Sequence, residues 1–328
     1  MTIPIKLGIN LHMPPVKTST TAYTVISSIG KLAKTPEWGK YIPQEMAELS
    51  SGFALAATDT PVKRLISLLP AKLAGLMLDN IVAPGMMQHY LFRKLLIEAE
   101  LHRFMLETDG AGQVIILGAG LDTLAFRMAG KYPAGRFFEI DLPGAGEVKL
   151  AALKRMNHQL PENCRFHAAD LAKTSLDAVL GTEKSFERRA ATLVILEGVL
   201  MYLPEPAVKG LFIALSELFS DKLEIIFGAM AVPDDMNNWR VRAVNFLLGG
   251  RENTDWHCQS RDMPEFMAAL GYSLKSWMPY KKLQAFYRPV AETRSLPEED
   301  ENYYLVAKTP QSVVNLAIDQ IPLLPINL

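Results

Sequence analysis

The run Gln113-Val-Ile-Ile-Leu-Gly-Ala-Gly-Leu-Asp-Thr-Leu-Ala-Phe-Arg127 leaves few folds open to this chain. A short apolar stretch, Val114 to Leu117, stops at Gly118-Ala119-Gly120 and a helical pattern follows. Strand, glycine turn and helix in that order open a doubly wound sheet, in which ligands sit beyond the carboxyl end of the strand. The glycines let the backbone approach a ligand with no Cβ in the way. About twenty residues on, a second apolar stretch, Arg136 to Asp141, ends in acid, where a carboxylate can accept hydrogen bonds from ribose hydroxyls. The pattern predicts a site for a nucleoside-containing cofactor.

A dinucleotide fingerprint requires a third glycine, three residues after the second, so that the helix can close around a pyrophosphate. Thr123 stands there, preceded by Asp122. A carboxylate at this helix start repels a pyrophosphate, while it caps a helix well. The spacing therefore points away from NAD and FAD. It points toward a cofactor with a ribose and no phosphate, S-adenosyl-L-methionine.

The rest of the chain fits an enzyme of this architecture. Of its 328 residues 49% are apolar, ample for a large core, and the net charge of −1 offers no basic excess for nucleic acid. Met1 to Lys17 does not read as a secretory signal. Leu65 to Leu78, the most hydrophobic stretch, is interrupted by Pro70 and Lys72 and is too short for a membrane span. Two cysteines, Cys164 and Cys258, suit a reducing cytoplasm. The six histidines show no metal-ligand spacing, so no metal is expected.

Residues 1–110 read as a helical extension broken at Pro61, Pro70 and Pro84, with its last helix near Met87 to Leu106. From Gln113 strands and helices alternate. Strands are expected at 113–117, 136–141, 165–168, 192–197, 223–228, 273–278 and 302–308, and helices at 121–129, 145–156, 205–219 and 264–270. The fold class is therefore α/β, a doubly wound, mostly parallel sheet of seven strands in residues 111–310, the last strand antiparallel. Residues 230–263, after the fifth strand, are a candidate lid over the ligand crevice. Residues 311–328 form an apolar tail.

Five motifs in order carry a family resemblance: His89-Tyr-Leu-Phe-Arg-Lys94, Gly118-Ala-Gly-Leu-Asp-Thr123, Phe138-Glu-Ile-Asp-Leu-Pro143 with Lys149, Ala169-Asp-Leu171, and Leu196-Glu-Gly-Val-Leu-Met-Tyr-Leu203. Together they resemble the leucine carboxyl methyltransferase family of S-adenosylmethionine-dependent enzymes, including bacterial members acting on small molecules. The matching covers roughly residues 87–215. The resemblance implies a Rossmann-like class I methyltransferase domain. It implies cofactor contacts from Gly118 and Gly120 at the turn, Asp141 at the ribose, Asp170 and Leu171 at the adenine, Arg93 at the methionyl carboxylate and Glu197 at the amine. The first hundred residues and the lid do not match, so the protein substrate of the founding members is not implied.

Each candidate also has a plainer reading. Asp122 reads better as a helix cap than as a ligand. Glu139 and Asp141 lie two apart on one face, and pattern alone does not separate them. Arg93 could be a solvated helix charge. Glu197 ends a buried apolar run, where a carboxylate calls for a cationic partner. The expected reaction is O-methylation of a small organic acceptor, with an organic acid as the expected partner. An ionised carboxylate needs no base; a hydroxyl would, with Tyr202 and His257 as the catalytic candidates. Arg240, Arg242, Arg251 and Arg261, interleaved with Trp239, Phe246 and Trp256, suit an acidic acceptor. One alternative is an NAD(P)-dependent oxidoreductase, which the absence of a Tyr-x-x-x-Lys pair at Tyr202 disfavours. The other is a non-catalytic cofactor-binding protein.

Overall fold

The apolar runs are strands in the structure, a computed structural model that describes residues 19–58, 85–171, 173–219, 221–231, 255–287, 301–309 and 318–324. The strands are β1 (Gln113–Leu117), β2 (Arg136–Asp141), β3 (Cys164–Ala168), β4 (Thr192–Leu196), β5 (Leu223–Met230), β6 (Tyr272–Pro279) and β7 (Glu301–Lys308). They form one seven-stranded sheet in the order β3-β2-β1-β4-β5-β7-β6. The first five run parallel, and β7 lies antiparallel between β5 and β6. This is the mostly parallel α/β sheet that the alternation predicts.

Every residue of β1 and β4 is buried, as a strand covered on both faces requires. Val114 and Ile116 of β1 enter one core with Leu193 and Ile195, while Ile115 and Leu117 enter the opposite core with Val194 and Leu196. Nine helices flank the strands among the described residues: α1 (Thr20–Leu32), α2 (Gln44–Ala56), α3 (Met86–Glu107), α4 (Leu124–Lys131), α5 (Pro143–Arg155), α6 (Leu176–Leu180), α7 (Glu205–Leu218), α8 (Met263–Ala269) and α9 (Tyr280–Tyr287). α3 carries the first core through Leu91, Phe92, Leu96, Ile97 and Leu101, and Phe92 stacks on Tyr287 of α9 at 4.7 Å. α1 and α2 pack on each other, α1 also on α3 and α2 on α5.

Two of the differences from the boundaries read in the sequence lie at the crevice. The helix expected from residue 121 starts at Leu124, because Gly118 and Gly120 take positive φ and Asp122 holds the first amides of the helix. The strand expected to reach Glu197 stops at Leu196, which frees Glu197 to turn out of the ladder. α6 and α9 were not expected. Neither was the role of part of the tail: Leu324 N donates to Trp277 O (2.8 Å) and Trp277 N to Pro322 O (3.0 Å), which covers the exposed edge of β6. Pro61, Pro70 and Pro84, and residues 232–254 of the lid, lie outside the described residues. No helix among the described residues is long and apolar enough to cross a membrane.

Candidate functional site

Strand order reverses between β1 and β4, since β2 and β3 lie to one side of β1 and β4 and β5 to the other. That switch point opens a crevice at the carboxyl ends of β1 and β4. The glycine turn forms one wall. Gly118 has φ 67°, and a Cβ there would lie 2.4 Å from Val199 Cγ2; Gly120 has φ 49°, and its Cβ would lie 3.1 Å from that of Ala22 in α1. Asp141, at the end of β2, meets the same turn: Gly120 N donates to Oδ2 (2.5 Å) and Leu142 N to Oδ1 (2.6 Å). Asp141 is partly exposed, and a carboxylate with one bond to each oxygen has acceptor sites left for a ligand.

Glu197, just past β4, finds its cationic partners on α3. Arg93 Nε donates to Oε1 (3.0 Å) and Lys94 Nζ to Oε2 (3.0 Å). Lys94 also pairs with Asp122 Oδ2 at 3.1 Å. Asp122 Oδ1 accepts from Thr123 N (2.6 Å) and Leu124 N (3.1 Å), so Asp122 caps α4 as the sequence suggests. Arg93 Nη1 reaches Glu301 Oε2 of β7 at 3.3 Å, and that same oxygen contacts His89 Nε2 (2.7 Å) and Tyr303 Oη (2.8 Å). All these side chains are at least nine-tenths buried.

Burial works against each charge here, and the neighbours outweigh it. It would lower Arg93, but Glu301 and Glu197 raise it. It would lower Lys94, but Asp122 and Glu197 raise it. It would raise Asp122, but Lys94 and Lys149 hold it down. It would raise the Glu301 carboxyl, yet Arg93 and the His89 hydrogen bond hold it at about 2. A folded-state value below the unfolded one contributes stability that is present above the unfolded value, near 4.5, and lost as pH falls toward the folded one. Urea denaturation should therefore show stability declining from about pH 5 toward pH 2, with a shallower decline in Glu301→Gln. Equal acid slopes in the two proteins would refute this role for Glu301.

Glu139 and Asp141, inseparable by pattern, are separated by their partners. Both Glu139 oxygens accept from Lys149 Nζ of α5 at 2.7 Å, and the pair is buried. Asp141 alone is at the crevice lip with free acceptor capacity.

Asp170 and Leu171 follow β3. Asp170 pairs with Lys173 at 2.7 Å, and Leu171 packs on the second core. Tyr202 Oη donates to Thr21 Oγ1 of α1 at 3.3 Å. Met201 O accepts from Asp255 N (2.7 Å) and Trp256 N (3.4 Å), which ties the segment bearing His257 to the turn bearing Tyr202. His257 Nε2 is buried and makes no hydrogen bond to a described residue. Cys258 is buried, with its thiol pushed up to about 12. Of the lid arginines only Arg261 is described; it is exposed and pairs with Asp262 at 3.5 Å. Arg240, Arg242, Arg251, Trp239 and Phe246 lie outside the described residues. Among the described residues no cluster of three or more His, Cys, Asp or Glu side chains could hold a metal ion.

Sequence reasoning missed Lys94 as a site residue, Glu301 with its partners His89 and Tyr303, and the contacts of α1. Lys94 adjoins Arg93 in a motif already singled out, and that adjacency was an available signal. Glu301 lies 104 residues beyond Glu197 with no local pattern marking it.

The model of the leucine carboxyl methyltransferase family matches residues 53–216, half of the chain. A Streptomyces coelicolor protein provisionally named an S-adenosyl-L-methionine-dependent methyltransferase is 37% identical over 199 residues, 59% of this chain and 65% of that one. A Mycobacterium avium protein with the same provisional name is 34% identical over 126 residues, 38% of this chain and 40% of that one. The chain thus aligns with less than two thirds of the length of these relatives. A solved structure from Thermobifida fusca, provisionally named a methyltransferase, superposes with a TM-score of 0.52 over 80% of this chain and 94% of that one. At 15% identity it shows a shared fold alone. On the family match, the chain belongs to the leucine carboxyl methyltransferase family.

Proposed function

We propose that the protein is an S-adenosyl-L-methionine-dependent O-methyltransferase acting on a carboxylate or hydroxyl of a small organic acceptor. The observation that carries this reading is the meeting, in one crevice, of a partly exposed acid at the end of β2 with a buried guanidinium–carboxylate pair, Arg93 and Glu197. Asp141 suits ribose hydroxyls. Arg93 suits the methionyl carboxylate, to which its remaining terminal nitrogen, Nη2, can donate a charge-assisted hydrogen bond. Glu197 suits the methionyl ammonium. Gly118 and Gly120 leave the turn free of Cβ atoms and suit a close ligand approach, and Asp170 and Leu171, which follow β3, suit the adenine.

The oxidoreductase alternative fares worse. A dinucleotide docks its pyrophosphate on free amides at a helix N-terminus. Here the amides of Thr123 and Leu124 are already bonded to a buried carboxylate, Asp122.

Bound S-adenosylmethionine supplies an electrophilic methyl group whose sulfonium leaves as a neutral thioether. The protein then has to orient an acceptor in line and exclude water. An ionised carboxylate needs no base, and for a hydroxyl Tyr202 and His257 are the candidates. We assign acceptor choice to the lid, residues 230–263, whose Arg240, Arg242 and Arg251 suit an acid. We assign residues 1–110 to a covering extension on the catalytic domain 111–310, in a cytoplasmic enzyme.

Calorimetry with S-adenosylhomocysteine and with NADH separates the cofactor classes. A mass-spectrometric screen of organic acids and phenols with methyl-labelled cofactor then tests transfer. The expected results are binding of the thioether alone and label on at least one oxygen acceptor. Binding of NADH in its place would overturn the reading. Binding without transfer to any acceptor would favour the non-catalytic alternative.

A further inference from the structure

We propose that Glu301 is a positioning residue for Arg93: from β7 it holds one terminal nitrogen of the guanidinium so that the other is presented to the α-carboxylate of the cofactor. This rests on the S-adenosylmethionine reading above. Arg93 uses Nε on Glu197 and Nη1 on Glu301, and Nη2 makes no hydrogen bond to a described residue. The backbone beside it is bare, since a Cβ built on Gly198 would lie 3.7 Å from both terminal nitrogens. The guanidinium is thus fixed at two points and open at a third.

Glu301 is itself fixed from several elements. His89, on the same helix as Arg93, and Tyr303 share its Oε2, and its Oε1 occupies space that a side chain at 228 would take: a Cβ on Gly228 would lie 2.1 Å away. A carboxylate 2% exposed and held so tightly costs desolvation that its contacts must offset. With Glu301, three carboxylates (Asp122, Glu197, Glu301) face Arg93, Lys94 and the His89 imidazole. The carboxylates complement a ligand bearing an ammonium and a sulfonium. Glutamine at 301 keeps the shape of the side chain and an acceptor for Arg93 Nη1, so the fold is expected to survive.

The competing explanation is that Glu301 merely ties α3 to β7. Two ligands distinguish them: S-adenosylhomocysteine, and 5′-methylthioadenosine, which has the nucleoside thioether but no amino-acid group. Glu301→Gln should weaken the first about tenfold, the loss of one well-aligned charge-assisted bond, and change the second by less than about twofold. On an Arg93→Ala background Glu301→Gln should cause no further loss. Tyr303→Phe, a milder change to the same network, should give a smaller loss confined to S-adenosylhomocysteine. Equal losses for both ligands, or a lower melting temperature with both affinities kept, overturn the proposal. If the wild type binds S-adenosylhomocysteine more tightly than 5′-methylthioadenosine and Glu301→Gln keeps that ratio, only the Glu301 assignment fails. If the wild type binds neither, the cofactor reading fails as well.

Discussion

Lys149→Met is expected to cost about 3–5 kcal/mol of folding stability near neutral pH, the range for removing one partner of a buried ion pair. Glu139 sits within the sheet, its neighbours in register are Ile116 and Phe166, and both its oxygens are bound to the one ammonium. Burial already pushes the Glu139 carboxyl up, with Lys149 as the main opposing influence. Without that ammonium the carboxyl would take up a proton rather than remain charged in an apolar site. The sign of the pH dependence follows. A carboxyl whose folded value lies above its unfolded one favours the fold below the unfolded value, and this advantage is lost as pH rises through the folded value. Lys149→Met should thus come closest to wild type near pH 5 and fall furthest behind near pH 8, in urea denaturation without ligand. The double variant Glu139→Leu/Lys149→Met should recover most of the loss, because apolar side chains of similar volume replace a buried pair at little cost. A single variant as stable as wild type at pH 8 would show that the pair does not hold α5 to the sheet.

What the sequence made legible was what local pattern encodes. Continuous apolar runs marked β1 and β4 because both faces of those strands are covered, and the glycines broke the run where the backbone takes positive φ. The acid after β4 announced a cationic partner because a lone buried carboxylate is costly. Its partner could not be read, since Arg93 and Lys94 are brought to Glu197 by the packing of α3 across the sheet and by no periodicity shared between the segments. Glu301 was further out of reach. It faces Arg93 only because β7 runs antiparallel beside β5, which puts Met230 opposite Glu301 and Gly228 opposite Tyr303. The choice between Glu139 and Asp141 was likewise tertiary: of two acids on one face, α5 delivers a lysine to Glu139 while the glycine turn meets Asp141.

That division of labour makes Asp141 the sharpest test of the cofactor site. Asp141→Ala is expected to weaken S-adenosylhomocysteine binding on the order of a hundredfold, since two ribose hydroxyls donating to one carboxylate are each worth about 1.5–3 kcal/mol and part of that is returned by solvation of the freed hydroxyls. The substitution also releases Gly120 N and Leu142 N, which now donate to the carboxylate, so the glycine turn loses a support along with the ligand. Asp141→Asn separates the two effects. Its amide oxygen can still accept from Gly120 N and hold the turn, but it lacks the charge and one acceptor, and an intermediate loss of about tenfold is expected. Glu139→Ala, by contrast, should lower the melting temperature of the ligand-free protein and leave affinity in the surviving fold close to wild type, because its carboxylate is committed to Lys149. Calorimetry on the three variants reads these outcomes directly. Unchanged affinity in Asp141→Ala would remove Asp141 from the site, and a larger affinity loss in Glu139→Ala than in Asp141→Ala would reverse the assignment of the two acids.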